Sequence, residues 1–349
     1  MRVLLAPDGF GSTLTALEAA AAMASGWSAA RPFDEVAVAA QSDGGPGFVD
    51  VLAGCGVVHE TAVAGPLGPP VRARWLLTAD SVAYLEAAQA CGLHLLGGGP
   101  TPRAAVAAST FGVGEMIADA LGAGARRLVI GLGGSASTDG GRGMVDALGG
   151  LDRYLDLLRP VPLLAASDVA NPLLGPAGAA AVYGPQKGAD APTIALLERR
   201  LAQWSAQLAA ASGIAVGGLA GGGAAGGLGA ALLAAGAGLR PGADVVGERT
   251  GRRAAMAAAD VVLTGEGRLD GQTLQGKVVA RLAAEAREVG TPLIVLAGQV
   301  SLTESQLVEL GTRAVYSLTE FAGSVAAAMA AAPVQLEALT RIVAVEWRE

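Results

Sequence analysis

Lysine, histidine and cysteine each occur only twice in this 349-residue chain. Cys55 and Cys91 lie far apart, so they form no CxxC pair and no disulfide framework, and a reducing compartment is the default. His59 and His94 sit in unrelated surroundings; they give no zinc-ligand spacing and no basis for a Ser-His-Asp relay. Charged residues are 16% of the chain, the net charge is −7 and there is no basic tract, which argues against a nucleic-acid partner. The opening "MRVLLAPDGF" reaches Asp8 too soon for a secretory signal, so the cytoplasm is the expected location. One charge-free run, 214–239, is long enough to cross a membrane. It holds ten glycines and no aromatic or basic anchor, and therefore reads as a Gly-rich loop entering a buried Ala/Leu helix, with no membrane association.

What the chain has in abundance is apolar residues, 52%, and 52 glycines without a collagen period. Short aliphatic runs alternate with Ala-rich helical stretches, the pattern of an α/β fold. Strands are expected at "RVLLAP", "EVAVAAQ", "RLVIGLG", "DVVLTGEG", "PLIVLAG" and "RAVYSL", with helices at "TALEAAAAMASGWSAA", "FGVGEMIADALGAG", "KVVARLAAEAREVG" and "SVAAAMAAAPVQLEALTRIVAVEW". Ser12 or Thr13 is the expected N-cap of the first helix. Residues 57–97 alternate like strands, and 160–190 read as short strands and loops. These observations suggest a Rossmann- or flavodoxin-like parallel-sheet domain (1–56, 104–150 and 240–349) with a second, inserted, smaller α/β domain (57–103 and 151–239).

Asp-Gly occurs at Asp8, Asp43, Asp139 and Asp270, each time after an apolar run read as a strand. Asp-Gly is a common turn in its own right. In a parallel sheet, however, the carboxyl ends of the strands share one edge, and ligands bind there. Four carboxylates and their glycine amides are thus expected at one crevice, suited to phosphate, a divalent metal or a substrate proton. "GLGGSASTDGGRG" is the densest of these stretches but is not a dinucleotide fingerprint. "GQTLQGKV" fits GxxxxGK after a strand, yet Val278 stands where a P-loop needs a hydroxyl, so it is at best a partial phosphate loop. The two lysines, Lys187 in "GPQKGA" and Lys277 in "GQTLQGKV", both lie in polar, Gly-flanked loops of a chain that otherwise uses arginine. Lysine offers phosphate a compact charge, and both side chains are expected to face the crevice.

Taken together, the motifs resemble those of the bacterial type-1 glycerate kinase family. The carriers are "LAPDGFGSTLTALEAA", "SDGGPG", "VAGPLG", "GLGGSASTDGGRGMVDALG", "SDVANPLLGPAGAAAVYGPQKGA", "GGGAAGGLGAALL" and "LTGEGRLDGQTLQGKV", spanning Arg2 to about Leu318. The resemblance implies two α/β domains and ATP- and Mg²⁺-dependent phosphorylation of glycerate to 2-phosphoglycerate. On that basis Asp8, Asp43, Asp139, Asp168, Lys187, Asp270 and Lys277 are the candidate catalytic residues, with Asp43 and Asp139 as metal ligands. Candidate substrate or phosphate contacts are Gly44, Gly45, Gly133, Gly134, Ser135, Gly140, Asn171, Gln186, Glu266, Arg268 and Gln272. The expected partners are a small hydroxy acid and a nucleotide, with a second copy of the chain as a candidate.

The sequence departs from the family pattern in several places. Gly9, Phe10 and Gly11 replace Ser-Phe-Lys, Pro46 replaces Glu, Phe111 replaces Arg, Thr138 replaces Asn and Gln275 replaces His; the stretch between Gly150 and Pro162 is shortened. These changes leave two alternatives open: a kinase for another small hydroxy acid, or a non-catalytic metabolite-binding paralogue. Arg142 and Arg103 are the expected replacements for the missing carboxylate-binding cations.

Overall fold

The computed structural model describes residues 1–347, apart from the side chain of Gln275. The strands are β1 (Arg2–Leu5), β2 (Glu35–Val38), β3 (Gly56–Ala64), β4 (Pro70–Thr78), β5 (Val82–Glu86), β6 (Arg127–Gly131), β7 (Leu163–Ala166), β8 (Gly238–Arg240), β9 (Val261–Leu269), β10 (Leu293–Val300) and β11 (Ala314–Ser317). The chain divides into two units: Met1–Asp43 with Ala243–Glu349, and Gly44–Gly242.

The first unit carries a five-stranded sheet in the order β11-β10-β9-β1-β2. Every neighbouring pair in it is parallel. Renumbered along the unit, this is the 2-1-3-4-5 order of flavodoxin-like sheets, whose ligand crevice opens where the strand order reverses, between β1 and β9. Alternation along β1 explains the two-faced cover. Val3 and Leu5 enter one core with Leu263, Leu296 and Trp27, while Leu4 and Ala6 enter another with Val262, Val295 and Leu282. A strand buried on both faces has to be apolar throughout, as "RVLLAP" is. The first helix, Ala16–Ala30, is capped by Thr15 in a capping box with Glu18, not by Ser12 or Thr13. Thr13 instead donates its hydroxyl to the Phe10 carbonyl within the preceding turn. The long C-terminal helix expected from the sequence is two, Val325–Ala330 and Ala332–Glu346, with Pro333 in the first turn of the second, where a missing N–H costs nothing.

Buried Arg252 fastens the places where the chain leaves and re-enters this unit. Its Nη1 donates to Gln41 Oε1 at 2.6 Å and to the Ala243 carbonyl at 2.7 Å, and its Nε pairs with Glu285 at 2.7 Å. Gly247 has to be glycine for this to fit, since a Cβ there would lie 2.5 Å from the guanidinium carbon.

The second unit has a mixed six-stranded sheet, β3-β4-β5-β6-β7-β8. Its first three strands form an antiparallel meander and the rest run parallel. Because β6 pairs with β5 and β7, residues 104–150 belong to this unit and not to the first, where the sequence reading placed them; the inserted unit is the longer of the two. "GAAAVYG" is not a strand but a helix, Ala179–Tyr183. The run 214–239 holds the buried helix Ala224–Ala234, and among the described residues no helix is long and apolar enough to cross a membrane. His59 stacks on buried Trp75 with ring centroids 4.3 Å apart, an ordinary structural use of the residue.

Candidate functional site

At the carboxyl ends of β1, β9 and β10, the first unit opens a cavity of about 520 Å³. Three of the four Asp-Gly aspartates line it: Asp8 beyond β1, Asp43 beyond β2 and Asp270 beyond β9. Glu266, Arg268, Gln272 and Lys277 complete its polar side. The cavity is also lined by the apolar residues Phe10, Leu318, Val325, Ala328, Met329 and Ala332. A Cβ at Gly298 would lie 2.4 Å from the Gly267 carbonyl oxygen, and one at Gly267 would lie 3.0 Å from the Gly11 amide nitrogen, so both positions are tight against neighbouring backbone.

One residue that the sequence reading passed over organises the polar side. Thr273 is fully buried; its hydroxyl donates to Glu266 Oε1 at 2.6 Å and accepts from the Asp270 amide at 3.2 Å. Asp270 in turn accepts from the Gln272 amide and lies 3.6 Å from Arg268 Nε. Glu266 is 8% exposed. Burial pushes its carboxyl up to about 7, the Thr273 hydrogen bond and Lys277 pull it down, and Asp270 and Asp43 push it further up. Lys277 caps the helix Val278–Val289 and donates to Gln272 Oε1 at 3.0 Å, so its ammonium stays at the pocket wall. The tight turn before it needs Gly276, at φ +103°.

The other sequence candidates lie in the second unit. Asp139 follows β6, which is in a different sheet from β1 and β9, so the four Asp-Gly turns do not share one sheet edge. Its carboxylate is occupied by its own frame. Oδ2 accepts from the Thr110 amide (2.8 Å), the Thr110 hydroxyl (2.9 Å) and the Gly143 amide (3.1 Å), and Oδ1 from the Gly141 amide (3.1 Å). The glycines expected to cradle phosphate are used for close approach of chain to chain. A Cβ on Gly44 would meet the Ala166 carbonyl oxygen at 2.4 Å, and one on Gly133 would meet Gly45 Cα at 2.4 Å. One on Gly134 would meet Pro46 at 2.7 Å, and one on Gly140 would meet Trp204 at 2.5 Å.

Lys187 is 2% exposed. Its Nζ donates to Ser135 Oγ at 3.0 Å and to the Ser137 carbonyl at 2.6 Å, bracing the loop after β6 from within. Burial lowers its pKa to about 8, against the opposing pull of Cys91 and Asp139. It is therefore not among the groups lining the cavity, unlike Lys277. Both side-chain ends of Asn171 are engaged, donating to the Ala177 carbonyl and accepting from the Tyr183 hydroxyl. Asp168 is half-buried just beyond β7, and Gln186 is exposed. Of the proposed replacement cations, Arg142 lies over the Trp204 ring at 5.4 Å and near Asp146, and Arg103 is exposed on the helix Pro102–Ala107. Phe111 opens the helix Phe111–Gly122, while Gly11 lines the cavity of the first unit.

Buried Glu86 was not legible as a special residue in the sequence. It ends β5 and accepts from the Gly47 and Val49 amides at 3.1 and 3.4 Å, at the start of the helix Phe48–Leu52. Burial raises its pKa to about 7, with Asp50 adding to the rise and the hydrogen bonds from Val49, Gln89 and Gly47 opposing it.

Comparison with known proteins concerns the whole chain and its fold. The model of the glycerate kinase family matches residues 3–156 and 151–348. An uncharacterized protein of Mycobacterium bovis is 54% identical over 346 residues, covering 99% of this chain and 91% of its own length. A glycerate kinase of Bacillus subtilis is 38% identical over 349 residues, covering 91% of this chain and 90% of its own. The crystal structure of glycerate kinase 2 from Salmonella typhimurium LT2 superposes with a TM-score of 0.78 at 35% identity, over 99% of this chain and 97% of that one. The two-unit α/β fold, the parallel sheet with its cavity at the strand ends and matches along nearly the whole length lead to one conclusion: the chain belongs to the glycerate kinase family, a family of kinase-like phosphotransferases.

Proposed function

We propose that the protein transfers the γ-phosphoryl group of ATP to the 2-hydroxyl of glycerate, giving 2-phosphoglycerate, in the cytoplasm. The observation that carries this reading is the cavity of the first unit, which Asp8, Asp43, Glu266 and Asp270 line together with Lys277 and Arg268. Phosphoryl transfer asks a protein for positioning and charge neutralisation more than for covalent chemistry. Lys277 and Arg268 supply positive charge for phosphate oxygens. The carboxylates are hard oxygen ligands of the kind Mg²⁺ takes. Among the described residues no group of three or more His, Cys, Asp or Glu is arranged as a ready-made metal cage. That suits Mg²⁺, which is bound through one or two carboxylates with the remaining positions left to water and substrate phosphate. Asp43 and Asp270 would hold it, and the ion would neutralise charge on the transferred phosphoryl.

Glu266 is the group placed to accept the hydroxyl proton. It is buried at the cavity wall and Thr273 fixes one of its oxygens, which leaves the other for a substrate hydroxyl. In this reading Asp139 and Lys187 act one step back, keeping the Gly133–Asp139 loop in shape, and Gly44 and Gly133 provide close packing.

One observation favours a second reading, a kinase for a different small hydroxy acid. Gly11, with φ +60°, lines the cavity where the family pattern has lysine, so this cavity has one ammonium fewer to meet a substrate carboxylate. The test is ADP release with ATP and Mg²⁺ across a panel of hydroxy acids, with phosphorus NMR of the product. A phosphate coupled to one proton is on the 2-hydroxyl, and one coupled to two is on the 3-hydroxyl. Turnover of glycerate to the singly coupled product is expected. Turnover of another hydroxy acid alone moves the assignment to the second reading, and no turnover with any acid rejects both in favour of a metabolite-binding paralogue.

A further inference from the structure

The cavity of the first unit is lined by two chemically different sets of residues, with Gln299 and Thr319 among the second. Its carboxylates and cations come from the ends of β1, β2 and β9 and the helix start at Lys277. Its apolar wall comes from the C-terminal segment, through Leu318, Val325, Ala328 and Met329. A three-carbon hydroxy acid has almost no apolar surface and fills a small part of about 520 Å³. The apolar wall is therefore unexplained by the acceptor substrate. Nor is it an ordinary core, because Val325 is 39% and Met329 53% exposed, both on a helix whose other residues are alanines. Two partly exposed large apolar side chains over small neighbours, lining the same cavity as Lys277 and Arg268, match a ligand with a flat apolar end and an anionic end. Methionine is suited to such a surface, because its unbranched thioether adapts to the face of a ring.

We propose that the nucleotide binds wholly within the first unit, with its base against Val325, Ala328 and Met329 and its phosphates towards Lys277 and Arg268. The acceptor hydroxy acid then occupies the part of the polar wall that the phosphates leave free, beside Glu266. The inference rests on the phosphotransferase reading above and adds to it the orientation of the donor.

The test is calorimetric, on the full chain, with ADP and inorganic tripolyphosphate as separate probes. Met329→Gln and Val325→Ser, singly and together, remove apolar contact surface without adding charge. The double variant is expected to bind ADP about tenfold or more weakly, the loss associated with removing one or two buried apolar contacts. Its tripolyphosphate affinity is expected to stay within about twofold, because that probe touches only the cationic wall. Melting temperature measures whether the fold is intact; if either polar variant unfolds, Val325→Ala with Met329→Ala, which trims the same apolar surface, carries the same expectation for ADP and for tripolyphosphate. Unchanged ADP affinity in the folded double variant overturns the inference, as does an equal loss for both probes. If the wild type phosphorylates a hydroxy acid while ADP affinity ignores these positions, the orientation fails and the phosphotransferase reading stands. If ADP binds as expected but no hydroxy acid turns over, the reverse holds.

Discussion

Glu86→Gln is the change whose effect the structure fixes most tightly. The carboxyl is 1% exposed and its pKa is raised from 4.5 to about 7. The folded chain therefore keeps a proton between those values that the unfolded chain releases. Stability should fall as pH rises through that window and level off above it, because a raised carboxyl pKa costs stability only when the group is forced to ionise. A rise of that size corresponds to about 3 kcal/mol at pH values above 7. Glutamine keeps an acceptor for the Gly47 and Val49 amides, and its amino group can turn to Gln89, which now donates to Glu86 at 3.4 Å. The variant is expected to lose about one proton's worth of pH slope and to be more stable than wild type at pH 8 by about 1–3 kcal/mol, with little difference near pH 4. The assay is urea unfolding between about pH 4 and 8, together with hydrogen exchange at Val49, whose amide reports the second unit directly. An identical pH slope in wild type and variant would mean that Glu86 ionises freely, and the account of its burial would be wrong.

Asp139→Asn turns an amino group towards amides that already donate to Asp139, and should destabilise the second unit by about 2–4 kcal/mol in urea unfolding. A fully stable Asp139→Asn protein with weakened Mg²⁺ binding would instead make this carboxylate a metal ligand. Arg252→Ala leaves Glu285 without its buried cation and should cost about 3–5 kcal/mol, a loss that calorimetric melting of the first unit would register. Lys277→Met should reduce kcat/KM by about a hundredfold or more with little change in melting temperature, since the ammonium lies at the pocket wall and, among the described residues, its hydrogen bond is to Gln272.

The central strands of the first unit, β1, β9 and β10, were legible because each carries an aliphatic run long enough to be buried on both faces, and pattern alone reports that. The unit boundary was not legible. β6, "RLVIG", reads much like β1 or β10, and whether it pairs with β5 or β1 is decided by contacts distant in sequence. The N-cap was misplaced for a local reason: Ser12, Thr13 and Thr15 are all competent caps, and Glu18, three residues beyond Thr15, is what selects among them. Glycine was legible as a need and illegible as a purpose. "DGG" and "GLGG" announce backbone without side chains, but a phosphate and a second strand of chain make the same demand. At Gly44 and Gly133 it is the chain that approaches. The apolar wall of the cavity was hidden for a related reason, because "SVAAAMA" has the composition of a core helix and only its position leaves Val325 and Met329 partly uncovered.

The two lysines show how far local context reaches. Both lie in Gly-flanked polar loops, yet Lys277 ends at a cavity wall and Lys187 inside the second unit. At Lys187 the fold offers two acceptors, a hydroxyl and a carbonyl, in a space closed by backbone; a Cβ on neighbouring Gly188 would lie 2.3 Å from the Thr101 amide nitrogen. A guanidinium there would bring five donors to two acceptors and bury the remainder unsatisfied. Arg252 is the opposite case, equally buried but surrounded by a carboxylate, an amide oxygen and a carbonyl in directions that a planar fork can reach. Arginine thus serves where several acceptors converge and lysine where few do, and an ammonium can lose its charge when burial demands it, as the lowered pKa of Lys187 indicates. By the same reasoning Lys277, for which Gln272 Oε1 at 3.0 Å is the one acceptor among the described residues, retains donors for a ligand's anionic oxygens, and arginine would not be expected to replace it without loss of phosphate affinity.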